Sequence, residues 1–188
     1  MRLILSGDPL SPPLNAIPLW LLNQFSFQTG WWTVVLTAAW GWPIIGIAVV
    51  TVLVAWHLIR VRPFRTEALL VVLAAAIGFT LDSLLQSTGW VEFAGDPGGG
   101  FAPLWMVALW ANFATTLNVS LRVLQRHPWL AAVLGALGGP GAYWAGAQLG
   151  AMTVYNAPAA FSVLALAWGL LTPLLLALAG ALARRSKP

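Results

Sequence analysis

Six apolar stretches, at about 16–40, 43–60, 66–88, 104–125, 128–150 and 158–183, constrain this chain more than any other feature. Each approaches the roughly 20 residues that an α-helix needs to cross the hydrocarbon of a bilayer. The breaks are Gly41-Trp42-Pro43, Arg62-Pro63, a loop over 89–103, His127-Pro128 and Asn156-Ala157-Pro158. Proline suits a first helical turn, where its missing N–H is not needed. Charge is scarce: 7% of 188 residues, against about a quarter in a soluble domain. That is too little to cover a water-facing surface, so the surface is expected to face lipid. The fold class predicted is all-α, a polytopic membrane helical bundle with about six transmembrane helices. Residues 1–15 form a short cytoplasmic or interfacial lead-in, 16–183 one transmembrane domain, and 184–188 a basic tail. The opening MRLILSGDPLSPP has too short an apolar core, Leu3 to Leu5, for a signal peptide.

The cations fix a direction. Arg60, Arg62 and Arg65 fall in the loop between spans two and three, and Arg122 and Arg126 between four and five. Arg184, Arg185 and Lys187 end the chain, and Arg2 opens it. With six spans all of them lie on one side, opposite Glu92 and Asp96. Five or seven spans would scatter them. The positive-inside rule then puts both termini in the cytoplasm. The net charge of +4 is therefore topology, and no nucleic-acid partner is expected. Most of the 12 tryptophans, such as Trp20, Trp40, Trp42, Trp90, Trp105 and Trp129, sit near span ends as an interfacial belt. Trp110, Trp144 and Trp168 sit deeper, either as packing or as the lining of a substrate-binding slot.

One carboxylate stands inside an apolar run: Asp82, in GFTLDSLLQSTGW. At 1.5 Å per residue it lies roughly 9–10 Å below the end of its span. An acid at such depth costs about 2.5–3.5 kcal/mol on the insertion scale, cannot snorkel, and is a functional candidate by default. Gln86 follows one turn on, with Ser83 adjacent. The same ruler puts Asn112 of span four roughly 12 Å deep and Tyr143 of span five about 10 Å deep. Thr116 lies at i+4 from Asn112, and Gln24 and Gln28 share a face of span one. Asp82, Asn112 and Tyr143 are thus expected at one height as the catalytic set of a polar pocket. Gln86, Thr116, Gln28 and the three deeper tryptophans are the candidate binding residues. The alternative for Asn112, Thr115, Thr116 and Asn118 is plain interhelical hydrogen bonding.

In span five, Gly135 with Gly139 and Gly146 with Gly150 make two small-xxx-small pairs, and Pro140 predicts a kink or break beside the pocket. Glu67 opens span three, where an acid suits the helix dipole and the nearby Arg62 and Arg65; a lipid headgroup could also sit there. His57 reads as interfacial. With His57 and His127 both at the basic boundary and no cysteine in the chain, neither a metal site, a disulfide nor a Ser-His-Asp triad is expected. GDPGGG at 95–100 lacks the lysine of a phosphate loop, and no cofactor is expected.

Several stretches together resemble a known family: LNQFSFQTGWW at 22–32, DSLLQSTG at 82–89, PLWMVALWANFATTLNVS at 103–120 and GPGAYWAGAQLGA at 139–151. They are similar to the DUF2878 family of uncharacterised bacterial inner-membrane proteins, over roughly 15–175. The resemblance implies a multi-pass protein of the bacterial inner membrane without an assigned activity, in loose association with lipid-modifying enzymes. Three functions are open at this level. The first is an integral enzyme or accessory acting on a lipid or isoprenoid, with membrane lipids as partners and Asp82 as its acid. The second is a small proton-coupled transporter. The third is a non-catalytic subunit, either homo-oligomeric or within a larger membrane complex.

Overall fold

The computed structural model describes residues 17–95 and 99–185. The lead-in at 1–15 with Arg2, the loop residue Asp96 and the tail residue Lys187 lie outside the described residues. The described chain is mostly helical: α1 (Leu19–Ala39), α2 (Pro43–Arg60), α3 (Phe64–Ser87), α4 (Leu104–Ala114), α5 (Pro128–Gln148) and α6 (Ala157–Arg185). A 3₁₀ helix (Arg122–Arg126) precedes α5, and two short strands, β1 (Val91–Phe93) and β2 (Met152–Val154), follow α3 and α5. Three helices, α2, α3 and α6, are long and apolar enough to cross a membrane. The other two helices of spanning length, α1 and α5, have 21 residues each and are diluted by polar residues and glycine. Large apolar side chains cover the outside: Ile44 is 79% exposed, Leu137 70% and Leu166 69%.

The helices pack as α1 on α2, α3 on α4 and α5 on α6, with α4 also touching α1 and α2, and α3 touching α6. Two apolar clusters stack along the bundle. One gathers Val34, Val35, Phe93, Trp105, Met106 and Tyr143 at the strand end. The other gathers Leu70, Ala74, Trp110, Leu117, Leu175 and Leu176 toward the opposite end. The seven described arginines fall at element ends away from the strands, in the α2–α3 link, the 3₁₀ helix and the last turn of α6.

The expected continuity of span four is reversed. Span four is a helix only to Ala114. There the Thr115 and Thr116 hydroxyls donate to the carbonyls of Asn112 and Phe113, each at 2.7 Å. The backbone tightens with them, since Thr115, Thr116 and Leu117 N–H groups reach three residues back rather than four. Such back-bonding competes with the α-helical ladder. The segment tolerates this because Thr115, Thr116 and Leu117 are buried in protein, where irregular backbone is not left facing lipid. Span five, where Pro140 was expected to kink a closely packed helix and a full break was the less favoured reading, is one helix through that residue. Gly135 and Gly139 do meet α6 closely, but Gly150 lies beyond α5 at φ +84°, in the left-handed turn that leads to β2. The second glycine pair is therefore a turn, not a helix seam.

The first part of the 89–103 loop carries a strand. Val91, Glu92 and Phe93 pair antiparallel with Val154, Thr153 and Met152. Tyr155 donates its hydroxyl to Glu92 Oε2 at 2.6 Å. The hydrogen bond to that carboxylate, then its charge, then slight desolvation hold the Tyr155 phenol above its ordinary 10.0. A raised phenol favours the folded form below pH 10 and loses that contribution as pH climbs through the raised value. Absorbance titration should therefore show one of the chain's two tyrosines, Tyr155, ionising above free tyrosine, and Glu92→Gln should return it toward 10.

Candidate functional site

Asp82 is fully buried on α3, 0% exposed. Its Oδ2 accepts from Trp110 Nε1 of α4 at 2.8 Å, and its Oδ1 accepts from the Tyr143 hydroxyl of α5. Indole nitrogen can only donate, so Trp110 requires an acceptor where Asp82 stands. One side chain thus ties three helices together, although α4 and α5 scarcely touch otherwise.

Packing sets the direction of both donors. Gly78 sits one turn before Asp82, and a Cβ there would lie 1.9 Å from the Trp110 ring. Trp110 stacks on Trp168 of α6 at 4.6 Å between centroids and 16° between planes. On the far side, a Cβ at Gly139 would lie 2.1 Å from Trp168. The order across the bundle is therefore glycine, indole, indole, glycine, with Phe113 edge-on to both rings. Above it, Phe93 of β1 packs on Tyr143 and Trp105, and Trp105 Nε1 donates to Ala94 O at 2.8 Å. The strand pair closes that end of the site.

A cleft of about 470 Å³ opens beside this stack, within the range of single-ligand sites. Its sides are Phe27, Trp31 and Val35 of α1 and the Gly135–Gly146 face of α5; Trp110, Tyr143, Trp168 and Thr172 line it as well. It runs from Leu121 and Leu124 near the arginine end to Met152 at the strands. Asp82 is not on its wall. The carboxylate is screened by Trp110 and Tyr143, so a molecule in the cleft meets the phenol and the indoles.

The nine predicted site residues separate accordingly. Trp110, Tyr143 and Trp168 line the cleft, and Asp82 stands behind them; the half-open rim carries Gln28. Asn112 is at the expected height but faces α1: its Nδ2 donates to Phe27 O at 2.9 Å and packs on Gly30. Thr116 is buried and bonded to its own helix end. Gln86 donates to Phe101 O at 3.1 Å, close to the strand end and away from the cleft. Trp144 is 57% exposed and points outward. Thr172 escaped the sequence reading, although it stands one turn from Trp168 on the same α6 face.

A second polar cluster lies toward the arginine end. Glu67 turns inward, 3% exposed, rather than toward Arg62 and Arg65. His57 Nε2 lies 3.2 Å from Glu67 Oε2, Asn118 Nδ2 donates to Oε1 at 2.8 Å, and Gln125 Nε2 donates to Asn118 Oδ1 at 3.0 Å. Asn23 of α1 joins the same irregular segment, donating to Thr115 O and accepting from Ser120 Oγ. Among the described residues no group of three His, Asp or Glu side chains is placed to hold a metal ion.

Removing the carboxylate strands two buried donors, at about 1–3 kcal/mol each. Asp82→Ala should therefore lower thermal stability in detergent sharply. Asp82→Asn keeps an acceptor for Trp110 and can donate to the Tyr143 oxygen, so its loss should be less than half as large. Equal losses would show that the two bonds do not act as described.

No curated protein and no solved structure gives a match to this chain. A family model described as "Protein of unknown function (DUF2878)" matches residues 18–174. That span takes in α1 through most of α6, with the carboxylate, both stacked indoles and the cleft, and the chain belongs to the DUF2878 family.

Proposed function

We propose that this is a six-span bacterial inner-membrane protein with cytoplasmic termini, which holds the apolar chain of a membrane lipid or isoprenoid in the cleft and serves lipid chemistry as an enzyme or accessory. The observation that carries the reading is the cleft itself. It is long, nearly all apolar, and flanked by α1 and α5 in a bundle whose outer faces carry exposed Ile, Val and Leu. An apolar chain gains about 25 cal/mol for each Å² removed from water, but a lipid already in the bilayer gains chiefly from packing. The flat indole and phenol surfaces supply that packing. Tyr143 is the polar group such a ligand would touch, and Asp82 is the positioning residue that holds its hydroxyl. A proton carrier needs its acid to meet the transported proton from each side in turn; Asp82, sealed by two donors, supports that reading less.

Topology supports the same picture. The arginines gather at one end, and the positive-inside rule makes that end cytoplasmic. The chain has no cysteine, so single substitutions report sidedness cleanly. Thr153→Cys on β2 should react with a membrane-impermeant thiol reagent in intact cells, and Val123→Cys in the 3₁₀ helix only after lysis. The reverse pattern would invert the protein in the membrane.

Gly138 tests the cleft. It lines the cavity, and a Cβ there meets nothing within 4 Å. Gly138→Leu fills the space, and within a helix the change is favoured by propensity. Mass spectrometry of extracts from the purified wild type should find a retained lipid, and Gly138→Leu should retain at least tenfold less. Equal retention by a variant of unchanged thermal stability would remove the cleft from the function.

A further inference from the structure

The polar side chains along the cleft differ in what is left open to a ligand. Tyr143 gives its hydroxyl to Asp82, and the Thr172 hydroxyl is sealed against Gly135 in the α5–α6 seam. The rim on α1 is the opposite case. Gln28 is exposed, Trp31 half-buried and Trp32 50% exposed, and all three line the cleft. They stand at i, i+3 and i+4, within one turn of the helix. Among the described residues, neither the Gln28 side-chain amide nor the indole nitrogen of Trp31 or Trp32 has a hydrogen-bond partner. Counted from Ala39, the three lie roughly 10–17 Å below the strand end of α1. Lipid tails at that depth offer neither donor nor acceptor, and an amide left unpaired there is costly.

Indole nitrogen only donates, and an amide both donates and accepts, so the rim calls for an acceptor. Charge narrows what carries it. A phosphate or carboxylate brought to this depth needs a cation or several charge-assisted hydrogen bonds, yet no Arg, Lys or His lines the cleft. The head of the ligand is therefore neutral. Shape narrows it again. Phe27 and Trp31 of α1 line one side, and Trp110, Tyr143 and Trp168 line the rest. Flat aromatic surfaces gain most from another flat ring laid against or edge-on to them. Beyond the rings the lining is Leu109, Leu121, Leu124 and Leu134 with glycine, which suits a hydrocarbon tail.

We propose that the cleft takes an isoprenoid quinone, its ring among the aromatic walls, a carbonyl oxygen at the Gln28 amide and the rim indoles, and its tail along the apolar length. The inference rests on the cleft being a lipid site and adds which lipid it prefers. A quinone joins the three properties that the site asks for: a neutral head, a flat ring and acceptor oxygens. An acylglycerol has the oxygens without the ring, and a plain isoprenoid hydrocarbon has neither. The amide also suits both oxidation states, donating to a quinone oxygen or accepting from a quinol hydroxyl.

The test uses the full-length chain, purified in mild detergent and delipidated, with native mass spectrometry as the readout. A short-tailed menaquinone, squalene, dioleoylglycerol and dioleoyl phosphatidylglycerol are the probes. Menaquinone should bind at least tenfold more tightly than squalene, an isoprenoid without oxygen. Gln28→Leu, which exchanges one good helix former for another at an exposed position, should erase most of that ratio while squalene binding stays unchanged. Trp31→Phe with Trp32→Phe, which keeps both rings and removes both N–H groups, should lower the ratio as well. Equal binding of menaquinone and squalene to wild type overturns this inference and leaves the lipid cleft standing. Binding of none of the four probes overturns both readings. Preference for dioleoylglycerol overturns the ring, and preference for phosphatidylglycerol overturns the neutral head. An unchanged ratio in Gln28→Leu overturns the placement of the carbonyl at the rim; should that variant fold poorly, the double tryptophan variant decides in its place.

Discussion

A carboxyl group buried among apolar helices must find donors within the protein, and this bundle is arranged around the two that Asp82 finds. Lipid can satisfy neither an ionised nor a neutral acid, so the side chain turns inward. Once inward, it fixes the indole of Trp110 and the phenol of Tyr143 at a single point. Neither donor belongs to a helix that packs strongly on the other. The acid therefore does what a helix–helix seam does elsewhere in the fold, and it leaves room beside itself because no seam is present.

That room is the cleft. Where α5 meets α6, Gly135 and Gly139 let the helices close until Trp168 and Thr172 nearly touch the α5 backbone. Where α3 meets α4, Gly78 lets Trp110 lie against α3. Both close contacts draw aromatic rings toward the middle, while α1 packs on α2 and α4 and scarcely on α5. The gap lies between α1 and α5, flanked by flat rings. Protein interiors seldom leave a void of this size unfilled, and its mostly apolar lining suits an apolar occupant.

Much of this was legible from the residues, and the failures share one cause. Height follows from counting 1.5 Å per residue, so Asp82 and Tyr143 were found at a common level. Azimuth does not follow from counting when the apolar pattern is uniform around the helix. Asn112 has the right height, but it stands two residues from Trp110 and therefore on nearly the opposite face; it bonds α1 while Trp110 bonds Asp82. Trp144 misses the site for the same reason, one residue around from Tyr143. In a soluble helix a polar face would have resolved the direction. Here both faces are apolar, and only glycine positions carry the information, through contacts that need coordinates to read. The Glu67–His57 pair was more accessible. The two stand five residues either side of Arg62, so an antiparallel turn there brings them level. Reading each alone, as a dipole acid and an interfacial base, missed the pairing.

The irregular stretch after α4 ties these features into one mechanical unit. Its threonines end the helix from within, and its exposed backbone groups are taken up by side chains from distant elements: Thr115 O by Asn23, Leu117 O by Gln125. Asn118 then passes the connection to Glu67, and Glu67 to His57. The 11-residue α4 is thereby anchored at both ends, by this network below and by Trp105 against the strand turn above. A full-length helix in its place would carry Trp110 on a rod free to tilt with the bilayer. A short helix pinned at each end holds the indole in register with Asp82 and Trp168, beside the cleft. The arginine-end network thus reaches the cleft's neighbourhood through α4, although Glu67, His57 and Asn118 do not line it.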